Sequence, residues 1–207
     1  MMHRETGAMQ SVCRSGFFND SALSRTRCIM KPLNRKCREG TATMIEIMEC
    51  INNAMLEETA ALAAEIWHEY FSSLLTPDQI DYMVEKFQSS EAMKRQVETE
   101  QYGYWQVRQD GTLIGYIGLQ FQKDRLFLSK LYLRQESRGQ GIASRMLAKV
   151  YDTAREFGYD RLWLTCNKHN RHSLDVYAAK GFVCIGEDVT DIGQGYVMDD
   201  YFLEKTL

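Results

Sequence analysis

Apolar and polar residues alternate along Met44-Ile45-Glu46-Ile47, which predicts a half-buried strand. The period then changes. From Glu57 onward Leu62, Ile66, Trp67, Tyr70 and Phe71 recur on one face of a repeat of about 3.6 residues, which predicts a helix. Thr76-Pro77-Asp78 ends it and opens a second helix through Ile80, Met83, Val84 and Phe87, since proline lacks an N–H and suits a first helical turn. A third, short helix is predicted from Glu91 to about Glu100. Tyr104–Arg108 and Thr112–Phe121 read as strands joined by Gln109-Asp110-Gly111, where the Asp-Gly step favours a tight hairpin. Gln122-Lys123-Asp124 turns the chain back, antiparallel, into an apolar run over Leu126–Leu133. Gly115 and Gly118, inside the preceding strand, predict a bulge or a close approach of backbone.

The chain is organised around the segment just after that run. A polar turn leads into Arg138-Gly139-Gln140-Gly141-Ile142-Ala143, and Ile142, Met146, Val150 and Phe157, flanked by Leu147 and Ala154, mark the buried face of a helix stopped by Gly158. The first N–H groups of a helix lack intrahelical partners and carry the positive end of its dipole, so they draw phosphate oxygens. Gly139 and Gly141 have no Cβ and let the backbone curl round an anion, and Arg138 can add charge-assisted hydrogen bonds. Neither G-x-G-x-x-G nor Gly-Lys-Ser/Thr occurs, which excludes a dinucleotide fingerprint and a P-loop. Arg161–Thr165 is a short buried strand, and the order strand, helix, strand makes it a parallel neighbour of Leu126–Leu133. A helix capped by Asn170 and stopped at Gly181, a strand over Val183–Val189, a connection at Gly193-Gln194-Gly195 and a last strand to Lys205 complete the pattern.

With 207 residues, 44% of them hydrophobic, and two prolines, the chain is sized for one globular domain. Charge is unevenly placed: residues 1–43 carry eight Lys/Arg against three Asp/Glu, leaving 17 against 25 in the remainder. Lacking apolar periodicity, residues 1–43 are expected to be a disordered basic extension, with 44–207 the folded domain. A misassigned upstream start, a transit-like peptide and a basic tail are the explanations open for it. The first is favoured because a strand begins at Met44. The acidic domain is a poor nucleic-acid binder and attracts small cations such as amines, although acidity also serves solubility alone. No run approaches the roughly 18 apolar residues of a membrane span and no signal peptide stands at the start, so a soluble, cytoplasmic protein is expected. Six cysteines without a C-x-x-C pair are expected to be free thiols, and His169 with His172 supplies too few ligands for a metal.

Arg138-x-x-Gly141-x-Ala143 resembles the Arg/Gln-x-x-Gly-x-Gly/Ala pyrophosphate loop of the GCN5-related N-acetyltransferases (GNAT). Asn170-Arg171-His172-Ser173-Leu174-Asp175-Val176-Tyr177-Ala178-Ala179-Lys180-Gly181-Phe182 is similar to that family's Asn-x-x-(small)-x-x-x-Tyr-x-x-x-Gly-Phe element. Together the motifs extend the resemblance over about Met44–Leu207. It implies an α/β (α+β) fold: a mixed, mostly antiparallel sheet of about six to seven strands with a parallel splayed pair in its middle and helices on both faces. It also implies transfer of an acetyl group from acetyl-CoA to an amine. By resemblance, Leu131, Tyr132 and Leu133 would pair with the pantetheine arm. Arg138, Gly139, Gln140, Gly141, Ile142 and Ala143, with Ser144 behind them, would hold the pyrophosphate. Asn170 would contact the cofactor, and Tyr177 would protonate the departing thiolate. The residues alone read Asn170 as a helix cap and Tyr177, about two turns on, as sharing its face.

Family position also puts Trp67, His68, Tyr70 and Phe71 in one wall of the acceptor pocket, while the residues alone favour the aromatics as core. The terminal segment resembles the branch that includes polyamine N-acetyltransferases, where Asp199 and Asp200 would recognise an ammonium group or else form a solvated turn. The carboxylate base that some relatives carry on the central strand is replaced by Ser129 and Lys130. Neither Cys166 nor Cys184 has an evident base partner for an acyl-enzyme route. From the acidic domain and the terminal segment, a small amine or polyamine is the expected acceptor, attacking directly in a ternary complex. A protein N-terminus or lysine, or a non-catalytic acyl-CoA-binding module, are the alternatives. The resemblance further implies a homodimer.

Overall fold

The computed structural model describes residues 43–207; the basic extension expected over 1–43 lies outside the described residues but for Thr43. β1 (Ile45–Glu49) leads to α1 (Asn53–Phe71), which starts before the predicted Glu57 because the Asn52 side chain accepts from Met55 N at 3.0 Å and caps the first turn. α2 (Pro77–Gln88) is capped by Thr76, and α3 (Ser90–Thr99) comes after a single residue, Ser89, whose hydroxyl accepts from Ala92 N at 3.2 Å. β2 (Tyr102–Gln109), β3 (Thr112–Phe121) and β4 (Leu126–Leu133) form the predicted meander. After the glycine loop come α4 (Ile142–Glu156), β5 (Arg161–Asn167), α5 (Arg171–Ala179), β6 (Val183–Gly193) and β7 (Tyr196–Thr206). Because α4 ends at Glu156, Phe157 does not extend its buried face as the periodicity predicts: it is 60% exposed, its ring 4.7 Å from that of Phe121.

A seven-stranded sheet runs in the order β1-β2-β3-β4-β5-β7-β6, antiparallel at every step except between β4 and β5. Those two pair at Leu126↔Leu162 and Phe127↔Trp163 and then part. A cause lies in β4. Its register with β3 passes from Leu119↔Leu128 to Gly118↔Lys130, leaving Ser129 as the extra residue of a bulge, and a bulge bends and twists the strand that carries it. The glycines of β3 make room for the bent strand. A Cβ on Gly118 would stand 3.1 Å from Lys130 Cβ, and one on Gly115 would stand 2.5 Å from the Tyr132 carbonyl oxygen, so both are the close approaches that the sequence predicts.

One core, under α4, buries Met146, Val150 and Ala154 with Leu126, Leu162 and Leu164. Another joins Leu62, Ala63 and Ile66 of α1 and Met93 of α3 to Tyr104 and Tyr116 of the sheet. Burying each such Leu, Ile or Met contributes about 1.5–3 kcal/mol, and truncating one to alanine costs about 2–5 kcal/mol. A third cluster shapes the site: Ile192, near the tip of the β6–β7 hairpin, is buried with Trp67, Phe71, Ile80 and Met83. Tyr82 and Lys86 both donate to the Ile192 carbonyl, which pins the hairpin to α2. No helix among the described residues is long and apolar enough to cross a membrane.

Candidate active site

Where β4 and β5 part, a cleft of about 670 Å³ opens and continues to the side chains of α1, α2 and α3. The glycine loop stands at one end. Gly139 and Gly141 have φ of 75° and 78°, and a Cβ on either would meet open space, so conformation rather than room selects glycine. The Gly141 carbonyl accepts from Ser144 N at 3.1 Å and Arg145 N at 3.3 Å, while the N–H groups of Ile142 and Ala143 have no partner among the described residues. With the dipole of the 15-residue α4 behind them, they suit a diphosphate. Lys180, the residue after α5, donates from Nζ to Ser144 Oγ at 3.0 Å and adds positive charge there. The Arg138 guanidinium is engaged elsewhere. It donates to the Leu133 carbonyl at 3.2 and 3.0 Å, lies 4.8 Å from the centroid of the Tyr70 ring and stands 3.8 Å from Glu69, bracing the end of β4.

In the middle of the cleft, side chains of opposite character meet. Asn170 Oδ1 caps α5 by accepting from Ser173 N at 3.3 Å and also accepts from the Tyr70 hydroxyl at 2.9 Å, which leaves its NH₂ group for a ligand. Burial pushes the Tyr177 hydroxyl up, with Cys166 and Tyr70 adding to it, so Tyr177 holds its proton at neutral pH. Cys166 is pushed up to about 12 by burial and by Asp200, and stays a thiol. Asp200 itself is pushed up to about 6, first by burial and then by Asp199, against the opposing effects of Thr165 and Lys168.

The far end is aromatic. Trp67 packs on Phe71 with ring centroids 4.4 Å apart and on Tyr132 at 5.7 Å, and it lines the cleft while only 5% exposed. It is wall and core at once. Phe87, Gln96, Tyr102 and Lys130 continue that wall.

Residues 60–182 match the acetyltransferase (GNAT) family. The chain belongs to the GNAT acetyltransferases. An uncharacterised N-acetyltransferase of Mycobacterium tuberculosis is 30% identical over 152 residues, covering 73% of this chain and 97% of that protein. N-acetyltransferase 8 of Rattus norvegicus is 28% identical over 137 residues, 63% of this chain and 57% of that one. Among solved structures, the PaiA N-acetyltransferase of Thermoplasma acidophilum, in complex with coenzyme A, has the same fold, with a TM-score of 0.66 at 22% identity over 79% of this chain and 99% of that chain. The mixed sheet with its one parallel pair is the GNAT fold, and as a GNAT enzyme the chain uses acetyl-CoA for N-acetylation. The unpartnered N–H groups at the start of α4 fit the diphosphate of that co-substrate.

Of the residues expected to hold acetyl-CoA in this GNAT enzyme, Leu131, Tyr132, Leu133, Arg138, Gly139, Gly141, Ala143, Ser144, Asn170 and Tyr177 line the cleft. The side chains of Gln140 and Ile142 do not. Gln140 donates to the Glu136 carbonyl at 2.9 Å, and Ile142, 3% exposed, belongs to the core under α4. Trp67, Tyr70, Phe71 and Asp200 line the cleft as expected pocket residues, whereas His68 stands 3.2 Å from Asp81 and Asp199 is 2.6 Å from Lys168 Nζ, neither among the lining residues. Sequence reasoning did not place three residues in the cleft or at its glycine loop. Lys180 at the α4 terminus carried no signal beyond its place before Gly181. Cys166 enters the wall because β5 runs on to Asn167, past the predicted end at Thr165, and Thr165, Cys166 and Asn167 all line the cleft. Lys130 is buried in the cleft wall, and Gly118 opposite it was the available sign.

Proposed function

We propose that the chain acetylates the primary amine of a small molecule by direct attack on acetyl-CoA in a ternary complex, with Tyr177 as general acid and Asp200 as the group that draws the ammonium and takes up its proton. The observation that carries this is the continuity of the cleft, in which the α4 terminus, Tyr177, Asp200 and the aromatic wall share one cavity. Bound there, acetyl-CoA supplies an acetyl group already activated as a thioester. Holding the two reactants together contributes up to roughly 7–11 kcal/mol in ideal orientation. The ammonium drawn by Asp200 first loses one proton to solvent, which leaves a neutral amine to attack; as the C–N bond forms, the nitrogen becomes more acidic and a second proton passes to the Asp200 carboxylate, and as the C–S bond breaks, Tyr177 gives its phenolic proton to sulfur. The products are the amide and the thiol of CoA, and solvent carries the proton from Asp200 back to Tyr177. Because Cys166 is held as a thiol, the arrangement supports direct attack over an acyl-enzyme.

Among the described residues lining the cleft, Asp200 is the one carboxylate, against Lys130 and Arg138. A polycation would find a single negative partner there, so a small amine of low charge takes precedence over a polyamine. Cys50, Cys166 and Cys184 are free thiols, which supports a reducing, cytoplasmic setting. The test is thiol release from acetyl-CoA by the full chain against spermidine, simple amines, free amino acids and peptides with free N-termini or lysines. Rapid release with compounds of low mass is the expected result. Preference for peptides would transfer the proposal to protein acceptors, and acetyl-CoA binding without release for any compound would remove the small-amine reading.

A further inference from the structure

We infer that Lys130 is a binding site for an anion in the acceptor part of the cleft, and that the acceptor is an amine bearing a carboxylate, of amino-acid type. The inference rests on the small-amine reading above and names its substrate class. Lys130 is 3% exposed yet lines the cleft. Its ammonium has neutral neighbours: Gln96 Oε1 and Ser129 Oγ each accept at 3.3 Å, and the Tyr102 and Tyr104 ring centroids lie at 5.0 and 5.4 Å. Among the described residues no carboxylate stands within 4.0 Å of it.

The surroundings are built to keep it there. The Ser129 bulge sets the register that places Lys130 opposite Gly118, and the absence of a Cβ on Gly118 gives the lysine stem room against β3. Tyr104 donates to Gln96 Oε1, and the Tyr102 hydroxyl stands 3.3 Å from Ser129 Oγ, so both polar neighbours of the ammonium are themselves held. Burial without a counter-ion is costly for an ammonium, and it lowers Lys130 to about 7 against the weaker upward pull of Glu100. An anion arriving with the substrate completes the pair that the protein leaves open.

The opposite pole lines the same cleft: Asp200, Tyr132 and Lys130 all border it. Burial pushes the Tyr132 hydroxyl up, with Tyr177, Cys166, Tyr70 and, last, Asp200 adding to it, and Lys130 precedes Tyr132 by two residues on β4, about 7 Å along the strand. A small zwitterion can therefore set its ammonium toward Asp200 and its carboxylate toward Lys130. Trp67, Phe71, Phe87 and Phe127 offer its side chain an apolar wall. A diamine would bring its second ammonium against Lys130 instead.

The experiment uses the full chain and matched probes: phenylalanine, phenylalaninamide and 2-phenylethylamine, with leucine, leucinamide and 3-methylbutylamine as a second set. The amides carry the less basic nitrogen, so a preference for the free acids does not come from amine ionisation. The native enzyme is expected to favour each acid by about tenfold or more in kcat/KM, as a charge-assisted contact gives. Lys130→Met is expected to abolish that preference through KM, with kcat changed less than about threefold and acetyl-CoA affinity retained. Lys130→Arg keeps part of it. Inhibition by N-acetylphenylalanine but not by its amide, lost in Lys130→Met, reads the same contact without turnover. Equal or better use of the uncharged partners by the native enzyme, or a preference that survives Lys130→Met, overturns the inference and leaves the small-amine reading standing. So does a uniform fall in kcat for all probes in that variant, which would make Lys130 a proton carrier. Acetyl-CoA binding with no amine turned over, in a wider panel as well, removes both.

Discussion

At the α4 end the cleft presents main chain: left-handed glycines, the first N–H groups of a helix and the unpaired edge of β4. At the α1–α3 end it presents side chains drawn from α1, α2, α3, β2 and β4, among them Trp67, Phe87, Gln96, Tyr102 and Lys130. Main-chain geometry is indifferent to most substitutions so long as the glycines stay, so that end suits one constant ligand. The side-chain end changes character with each replacement, which suits the acceptor end proposed above. Tyr177 and Asp200 line the same cleft and are the residues proposed to act at the junction of the two ends.

The comparison is broken most severely at that junction. Tyr177→Phe is expected to lower kcat about 100-fold, at the lower end of what a general acid contributes, while acetyl-CoA affinity measured by calorimetry stays within about twofold. An unchanged kcat would withdraw the role given to Tyr177. Asp200→Asn comes next, with kcat/KM for the amine falling about twentyfold, as expected when the charged partner of a substrate cation is removed. Its pH dependence has a definite sign. With Asp200 at about 6, the carboxylate is present above that value and lost below it, so native kcat/KM declines as pH falls through about 6 and the asparagine variant shows no step there. Stability runs oppositely. The folded-state value lies above the ordinary one, so the native state binds the proton more tightly, stability declines as pH rises from about 4 to 6 and stays at the lower level above. Urea unfolding at both ends of that window should show the decline in the native chain and less of it in Asp200→Asn.

The contrast between the two ends also explains which parts were legible in the sequence. Arg138–Ala143 and Asn170–Phe182 each solve a local problem, an anion at a helix start or a capped helix facing a cleft, and local problems leave contiguous patterns. Lys130 was visible as the residue replacing a carboxylate, but its burial depends on a bulge in β4, a glycine in β3 and two tyrosines of β2, which no short window contains. Asp199 and Asp200 show the same limit. Alternation along a strand says that one faces the cleft and one does not; the register of β7 against β5, Asn167↔Asp200, decides which. Phe157 fits the helical period but falls beyond the end of α4, where the period no longer applies.

At the main-chain end the expected effects are smaller and differ in kind. Gly141→Val imposes a left-handed conformation on a β-branched residue, at a cost of about 1–2 kcal/mol, and acetyl-CoA affinity should fall about tenfold as the loop shifts. Gly111→Val is the control. Gly111 has φ of 81° and open space around it but sits in the β2–β3 turn outside the cleft lining, so similar destabilisation should leave acetyl-CoA affinity unchanged. A matching loss in both variants would mean that strain alone, and not the shape of the loop, governs binding.

Lys180→Ala gives the smallest effect and the sharpest reading of the comparison. Lys180 is the one described side chain whose ammonium reaches the start of α4, through Ser144 Oγ at 3.0 Å, in an exposed setting. If main chain dominates that end, removing this charge should weaken acetyl-CoA only about threefold, roughly the 0.3–1 kcal/mol of an exposed charge near a helix terminus. The loss should shrink as salt is raised from about 50 to 500 mM, because screening acts on the exposed ammonium and hardly on the N–H groups of Ile142 and Ala143. Calorimetric titration of acetyl-CoA at both salt concentrations checks this. A loss of about a hundredfold would shift the weight of diphosphate recognition from the backbone to a side chain, and the contrast between the two ends of the cleft would no longer hold.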